Sequence, residues 1–230
     1  MKLFLPFIFT LLIFVNVPAI AQPLSIISTF KHYKEYVTLD PKKALVDLKK
    51  VIPGIVIDLK YSNKNNFTKT KLYSKATTTY LRRDVANALL KVNDELKTLG
   101  FGIKIFDAYR PYSVTKLMWD LIHDERYVAN PINGSGHNKG IAVDLTIIKQ
   151  NTGTELNMGT AFDNFTDSAH HSFTKNLSNE MIAHRTLLKT TMEKYGFKSL
   201  ETEWWHYSFQ SKENYEVMDI DLKGLNRKIK

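Results

Sequence analysis

The stretch Ser135-Gly136-His137-Asn138-Lys139-Gly140-Ile141-Ala142-Val143-Asp144 organises the reading of this 230-residue chain. Gly136 and Gly140 disfavour a helix across it. From Ile141 the chain alternates, with Ile141, Val143, Leu145 and Ile147 on one side and Ala142, Asp144 and Thr146 on the other. That is the period of a half-buried strand. Asp144 then sits on the less apolar face of an otherwise buried strand and needs a partner, because a buried unpaired charge is costly. A cation is one candidate, and His137 offers a nitrogen ligand on the loop leading in.

Working outward toward the N-terminus, Ile103 to Tyr109 reads as a strand stopped by Arg110-Pro111, since proline cannot continue a central strand. Arg110 is therefore placed at a strand end. Ser113 is expected to cap a helix to about His123, with Val114, Leu117, Met118 and Leu121 facing inward. The clearest helix is expected from about Tyr80 to Leu99, with Gly100 closing it. Tyr61 to Ser74 is polar and reads as a loop or cover. Val51 to Lys60 reads as an early strand with Pro53-Gly54 as a turn or bulge. Residues 22–50 show no strong period. Residues 1–21 read as a secretory signal: a basic Met1-Lys2, an apolar run from Leu3 to Val17 and a small-x-small site at Ala19-Ile20-Ala21. The competing reading is an uncleaved membrane anchor.

Toward the C-terminus, Asn151 to His171 is a long polar loop, of a kind that is usually functional or mobile. A helix is expected from about Asn179 to Tyr195, closed by Gly196. Glu201 to Phe209 is aromatic and strand-like. The final residues, Lys223 to Lys230, look like a solvated basic tail. No repeat or linker divides the chain, so residues 22–230 form one α+β domain.

The chain has no cysteine and a net charge of +9. It therefore has no disulfides. The basic excess is diffuse, with no aromatic-interleaved stripe of the kind that tracks nucleic acid. An exported protein in an anionic cell envelope, periplasmic or secreted, is the expectation, with no nucleic-acid partner and no stable membrane insertion after cleavage.

Of the seven histidines, His137 and His206 are accompanied by acids. Glu203 lies three residues before His206. In a flat strand such a pair points to opposite faces, so the chain must bend between them for both to act on one centre. The bland alternative is an aromatic core strand with an exposed glutamate. The loop doublet His170-His171 is a weaker candidate ligand or substrate contact. His137, Asp144 and His206 together offer two nitrogens and an oxygen, which leaves a fourth zinc position open as in catalytic sites. Glu203 then suits a proton carrier, and Arg110 an oxyanion stabiliser. The set describes metal-assisted amide hydrolysis.

These residues resemble a known family. Ser135-Gly136-His137-x-x-Gly140-x-Ala142-x-Asp144 followed by Glu203-Trp204-Trp205-His206 is similar to the LAS-type zinc peptidases, the D-Ala-D-Ala metallopeptidases. Asn66-Phe67-Thr68, Asp107-Ala108-Tyr109-Arg110-Pro111 and Met158-Gly159-Thr160-Ala161-Phe162-Asp163 narrow the resemblance to the D-alanyl-D-alanine dipeptidases, the VanX-like group. The resemblance implies an α+β fold with a central antiparallel sheet flanked by helices and a zinc site in a cleft. It implies one zinc held by His137, Asp144 and His206, with Glu203 and Arg110 catalytic. It implies further that Asp163 lies near the substrate ammonium and Ser135 near its carboxylate, and that D-Ala-D-Ala is cut to two D-alanines. Lys69 departs from the family, where glycine is common. Two other readings are a D,D-carboxypeptidase or endopeptidase of wall peptides and a non-catalytic zinc-dependent wall-peptide binder.

Overall fold

The computed structural model describes residues 24–74 and 76–228. The expected leader, residues 1–21, lies outside them. In chain order the elements are β1 (Ile26–Ile27), α1 (Phe30–Leu39), β2 (Leu45–Asp47), α2 (Leu48–Val51), β3 (Val56–Ile57), β4 (Tyr80–Arg82), α3 (Arg83–Thr98), β5 (Phe101–Asp107), α4 (Tyr112–Leu121), α5 (Gly136–Lys139), β6 (Ala142–Lys149), α6 (Asn179–Lys194), β7 (Phe197–Leu200), β8 (Glu203–Phe209), β9 (Val217–Met218) and α7 (Leu222–Lys228). Among these residues no helix is long and apolar enough to cross a membrane.

Strand β6 is central in a five-stranded sheet of order β3-β5-β6-β8-β7. It is buried along all but its last residue, because helices cover one face and loops the other. Val143, Leu145 and Ile147 join Val85, Leu89 and Val92 of α3 and Leu188 and Met192 of α6 in one apolar cluster. A second cluster, rich in tyrosine, gathers Tyr33, Tyr61, Tyr73, Tyr80 and Tyr109 with Met118, Met218 and Leu225. The fold is α+β, as expected, but the sheet is mixed rather than antiparallel. β3 runs parallel to β5, pairing Val56 with Lys104. The long connection through β4 and α3 supplies the crossover that a parallel pair needs.

Several elements differ from their expected bounds. Tyr80–Arg82 is a strand paired with β2, and the helix begins only at Arg83. Buried Arg82 decides this: its Nε donates to the Lys139 carbonyl at 2.7 Å and its guanidinium stacks on Tyr215. Gly100 ends the helix at φ +80°. Helix α4 buries Val114 and Met118, whereas Leu117 and Leu121 are 52% and 62% exposed. Periodicity identified the stripe but not what covers it. Ser113 is not the cap. Pro111 holds that position, and the Ser113 amide and hydroxyl both donate to Asp219. The early strand shrinks to Val56–Ile57, preceded by a helical turn. Helix α1 has no counterpart among the expected elements; it buries Tyr33 and packs Phe30, Tyr36 and Val37 on the second cluster. The expected basic tail instead packs as α7 through Leu222 and Leu225.

Candidate metal centre and reaction cleft

Register places the chemistry. Asp144 of β6 pairs with Asp107 of β5 on one side and with His206 of β8 on the other. Three neighbouring strands thus present one row of side chains. Ile105 pairs with Leu145, which faces the helices, so simple alternation would send Asp107 to that same face. A bulge between Ile105 and Asp107 leaves Phe106 without a partner and turns Asp107 to the Asp144 side. A second irregularity lies between β7 and β8: Ser199 pairs with Tyr207, but Leu200 pairs with Glu203. The chain therefore bends between Glu203 and His206, and both line the same cleft.

His137 reaches this row from α5. Contrary to expectation, Gly136–Lys139 is one helical turn. The Ser135 hydroxyl accepts from the Asn138 backbone amide, and the Asn138 Oδ1 in turn accepts from the Ser135 backbone amide. This capping box outweighs the glycine penalty, and Gly140 closes the turn at φ +72°.

His137 Nε2 lies 3.2 Å from His206 Nδ1, His206 Nδ1 lies 2.9 Å from Asp144 Oδ1, and His137 Nε2 lies 3.4 Å from Asp144 Oδ2. His137, Asp144 and His206 form the group of potential metal ligands found among the described residues. A tetrahedral ion with ligands at 2.0–2.1 Å has ligand–ligand edges of about 3.3 Å, so the triangle has the right size for zinc. The ring orientations agree. His137 Nδ1 donates to the Ala108 carbonyl at 2.7 Å, and His206 Nε2 sits 3.2 Å from the Ser208 hydroxyl. Each ring thereby turns a lone pair to the common point, the outer support that metal-binding histidines require. Burial works to raise the Asp144 carboxyl, but the charges and hydrogen bonds of His137 and His206 hold it below its ordinary value.

The expected catalytic and binding residues all line one cleft of about 210 Å³: Arg110, Ser135, His137, Asp144, Asp163, Glu203 and His206. Arg110 is held by Asp107, whose Oδ2 accepts from Nε at 2.8 Å and lies 2.7 Å from the terminal nitrogen. Tyr73 donates to the other Asp107 oxygen at 2.6 Å. The guanidinium stacks on the Tyr61 ring, 5.2 Å from its centre. Burial, and then the charges of Asp144 and Asp163, push the Glu203 carboxyl well above the ordinary carboxylate range. Burial and Asp144 push Asp163 up to about 8, against a 3.0 Å hydrogen bond from the Tyr61 hydroxyl. Ser135 lines the cleft, with its oxygen already accepting the cap bond. His170 and His171 are outside this group. His171 lies beside Tyr207, and burial lowers its ring to about 4.

Sequence reading missed the supports: Tyr61, Tyr73, Asp107 and Asn138, whose buried amide bridges the Arg110 carbonyl and the Thr115 hydroxyl. A signal for Asp107 was present, because a carboxylate ending an apolar strand needs a partner just as Asp144 does. A larger cavity, about 660 Å³, lies across the 151–171 loop and shares Phe67 and Asp163 with the reaction cleft.

A family model described as D-ala-D-ala dipeptidase, Peptidase_M15, matches residues 41–222. The D-alanyl-D-alanine dipeptidase of Escherichia coli (strain K12) is 32% identical over 174 residues, covering 76% of this chain and 89% of the relative. That of Enterococcus faecalis (strain ATCC 700802 / V583) is 30% identical over 179 residues, covering 70% and 88%. Among solved structures, the LdcB LD-carboxypeptidase matches 74% of this chain and 69% of its own at 21% identity, with a TM-score of 0.42.

Proposed function

This chain belongs to the D-Ala-D-Ala dipeptidase family of peptidases, and from that premise we propose that it hydrolyses D-alanyl-D-alanine to two D-alanines with one zinc ion held by His137, Asp144 and His206. The observation that carries the reading is that these three donors and the proton carrier Glu203 line one 210 Å³ cleft with Arg110 and Asp163. That volume suits a dipeptide.

Zinc, when bound, supplies Lewis-acid polarisation of the scissile carbonyl and acidifies water at neutral pH. The chain's own residues do the rest. Glu203 takes a proton from the attacking water as the oxygen adds to the carbonyl carbon. It then delivers that proton to the amide nitrogen, so the C–N bond breaks to release a neutral amine. A raised proton affinity suits a group that must both accept and donate near neutrality. Arg110, clamped by Asp107, faces the oxygen on which negative charge develops, and a prepositioned donor loses little to reorganisation. Asp163 accepts hydrogen bonds from the substrate ammonium, with its carboxyl oriented by Tyr61. Ser135 lies toward the substrate carboxylate and still has its O–H to donate. Export to the periplasm or beyond, with D-alanine salvage or wall turnover as the role, rests on the reading of residues 1–21 as a signal.

One observation favours a second reading. The 660 Å³ cavity beyond Asp163 offers room for peptide N-terminal to the D-Ala-D-Ala unit, as a carboxypeptidase or endopeptidase of wall peptides would need. Release of D-alanine from D-Ala-D-Ala and from its N-acetyl derivative, with and without chelator, separates the readings. The dipeptidase cuts only the free dipeptide, loses activity to the chelator and regains it with zinc. Cleavage of both substrates moves the chain to the second reading. If Glu203→Gln still binds zinc and turns over like the parent, Glu203 is not the proton carrier. A parent that binds zinc and cuts neither substrate leaves two readings, a binder of wall peptides or an enzyme for another wall substrate.

A further inference from the structure

The segment between the two cavities is held at its base by one side chain. Arg185 of α6 is 4% exposed. Its Nε donates to the Met158 carbonyl at 2.6 Å, one terminal nitrogen donates to the Ser168 carbonyl at 2.9 Å, and the other to the His170 carbonyl at 3.1 Å. Met158 precedes the segment 159–167, and Ser168 and His170 come after it. The guanidinium thus closes a nine-residue loop of the Ω type, whose ends are brought together. Among the described residues Arg185 has no carboxylate within ion-pair distance. A buried charge without a counter-ion is costly unless hydrogen bonds satisfy it. Three carbonyls at fixed angles match the planar fork of arginine and not the point charge of lysine.

What the loop carries gives the staple a purpose. Thr160 accepts from Trp204 Nε1 at 2.9 Å. Phe162 packs against Phe106, Trp205 and Tyr61. Phe165 stacks on Phe67 and Tyr127. Asp163, at φ +60°, faces both the 210 Å³ cleft and the 660 Å³ cavity. The base is tight as well: Gly159 has φ +83°, and a Cβ there would come 2.4 Å from Leu177 Cδ2.

We propose that Arg185 is a positioning residue for substrate selection: by stapling residues 159–167 it holds Asp163 as a partition between the two cavities, so that only a peptide ending in a free ammonium fits. This rests on the reading of Asp163 as the ammonium acceptor. Arg185 lines neither cavity, so its loss should relax selection and leave the reacting groups in place.

The test uses the full zinc-loaded chain carrying Arg185→Lys and, separately, Gly159→Ala, which strains the same base from the loop side. Hydrogen exchange at residues 159–167 should quicken in both variants, while β6 and β8 exchange as in the parent. KM for D-Ala-D-Ala should rise about tenfold or more with kcat within about threefold, and the preference for the free over the N-acetylated dipeptide should fall by a similar factor. Unchanged exchange in the loop of Arg185→Lys overturns the staple. Faster exchange with KM and preference unchanged overturns the role in selection, as does a fall in kcat at constant KM. If Arg185→Lys does not fold, Gly159→Ala gives the same readings. A parent with no activity on either substrate sinks the dipeptidase reading instead, and the exchange result still stands for or against the staple.

Discussion

Asp107 does for Arg110 what the Ala108 carbonyl and the Ser208 hydroxyl do for the two histidines, fixing a functional group in one orientation. Asp107→Asn keeps the shape but removes the charge facing the guanidinium. We expect kcat to fall about ten- to a hundredfold with KM within a few fold, a weaker version of the roughly 10²–10³ loss expected for Arg110→Lys. Steady-state kinetics on protein with a parental zinc content decides it, and a KM effect with kcat intact would count against the role. Asp163 gives a prediction in pH. Its carboxyl, pushed up to about 8 by burial and by Asp144, is neutral below that value and cannot pair with an ammonium. kcat/KM for the dipeptide should therefore rise with pH along a limb centred no higher than about 8, since a bound cation lowers the value. Asp163→Asn should flatten this limb. Asparagine tolerates the left-handed backbone at this position, so the variant tests charge and not fold. A limb that persists unchanged would assign it to another group. Asp163, like Ser135, is a site residue whose role depended on the family resemblance, because nothing in its local spacing marks a substrate contact.

At the scale of elements, legibility depends on what holds each element in place. β6 and α3 were readable because their apolar periods are long, and α3 and α6 because a glycine at positive φ, Gly100 or Gly196, closes each. α1 does carry a stripe, Phe30, Tyr33, Tyr36 and Val37, against the tyrosine-rich cluster, but it is short and interleaved with charged residues, and it was passed over. The α5 turn was missed because glycine propensity was weighed and the Ser135–Asn138 reciprocal cap was not. Bulges are invisible to period counting, although the need for a bend between Glu203 and His206 could be stated in advance. Two turns allow opposite predictions. Gly140, at φ +72°, would bring a Cβ within 2.8 Å of Leu45 Cδ2. Gly140→Ala should lower stability by about 1–2 kcal/mol from backbone strain alone and weaken zinc affinity through His137 on the same turn. Lys69, where the family commonly has glycine, sits at φ +56°. Lys69→Gly should leave stability unchanged or raise it by up to about 1 kcal/mol, because relief of the strain outweighs the added freedom of the unfolded chain. Urea denaturation measures both, and a clear loss for Lys69→Gly would mean that the lysine side chain makes a stabilising contact.

At the scale of the molecule, charge is sorted by depth. The chain carries +9 overall, yet Asp107, Asp144, Asp163 and Glu203 crowd around the guanidinium of Arg110 at the cleft. Mutual repulsion adds to burial in raising Glu203 and Asp163. A divalent cation at His137, Asp144 and His206 relieves that field, so metal and fold should be linked. A ligand present at 1,000 times its Kd stabilises by about 4 kcal/mol, which for a domain of this size is roughly 8–16 °C in Tm. Chelation should lower Tm by that order, and zinc should restore it. The pH dependence separates this from general metal stabilisation. A carboxyl whose affinity for protons is higher in the folded chain stabilises it fully at low pH, and that contribution is lost as pH rises from the ordinary carboxylate range through about 8. The metal-free chain should thus lose stability across that window. The loaded chain should lose less, because the cation favours the ionised carboxylates and because neutral histidines bind metal better. The gap in Tm between loaded and chelated protein should therefore widen from pH 6 to pH 8 and shrink in Asp163→Asn. A gap that stays constant with pH would show that the acids of the cleft and the metal centre are not electrostatically coupled.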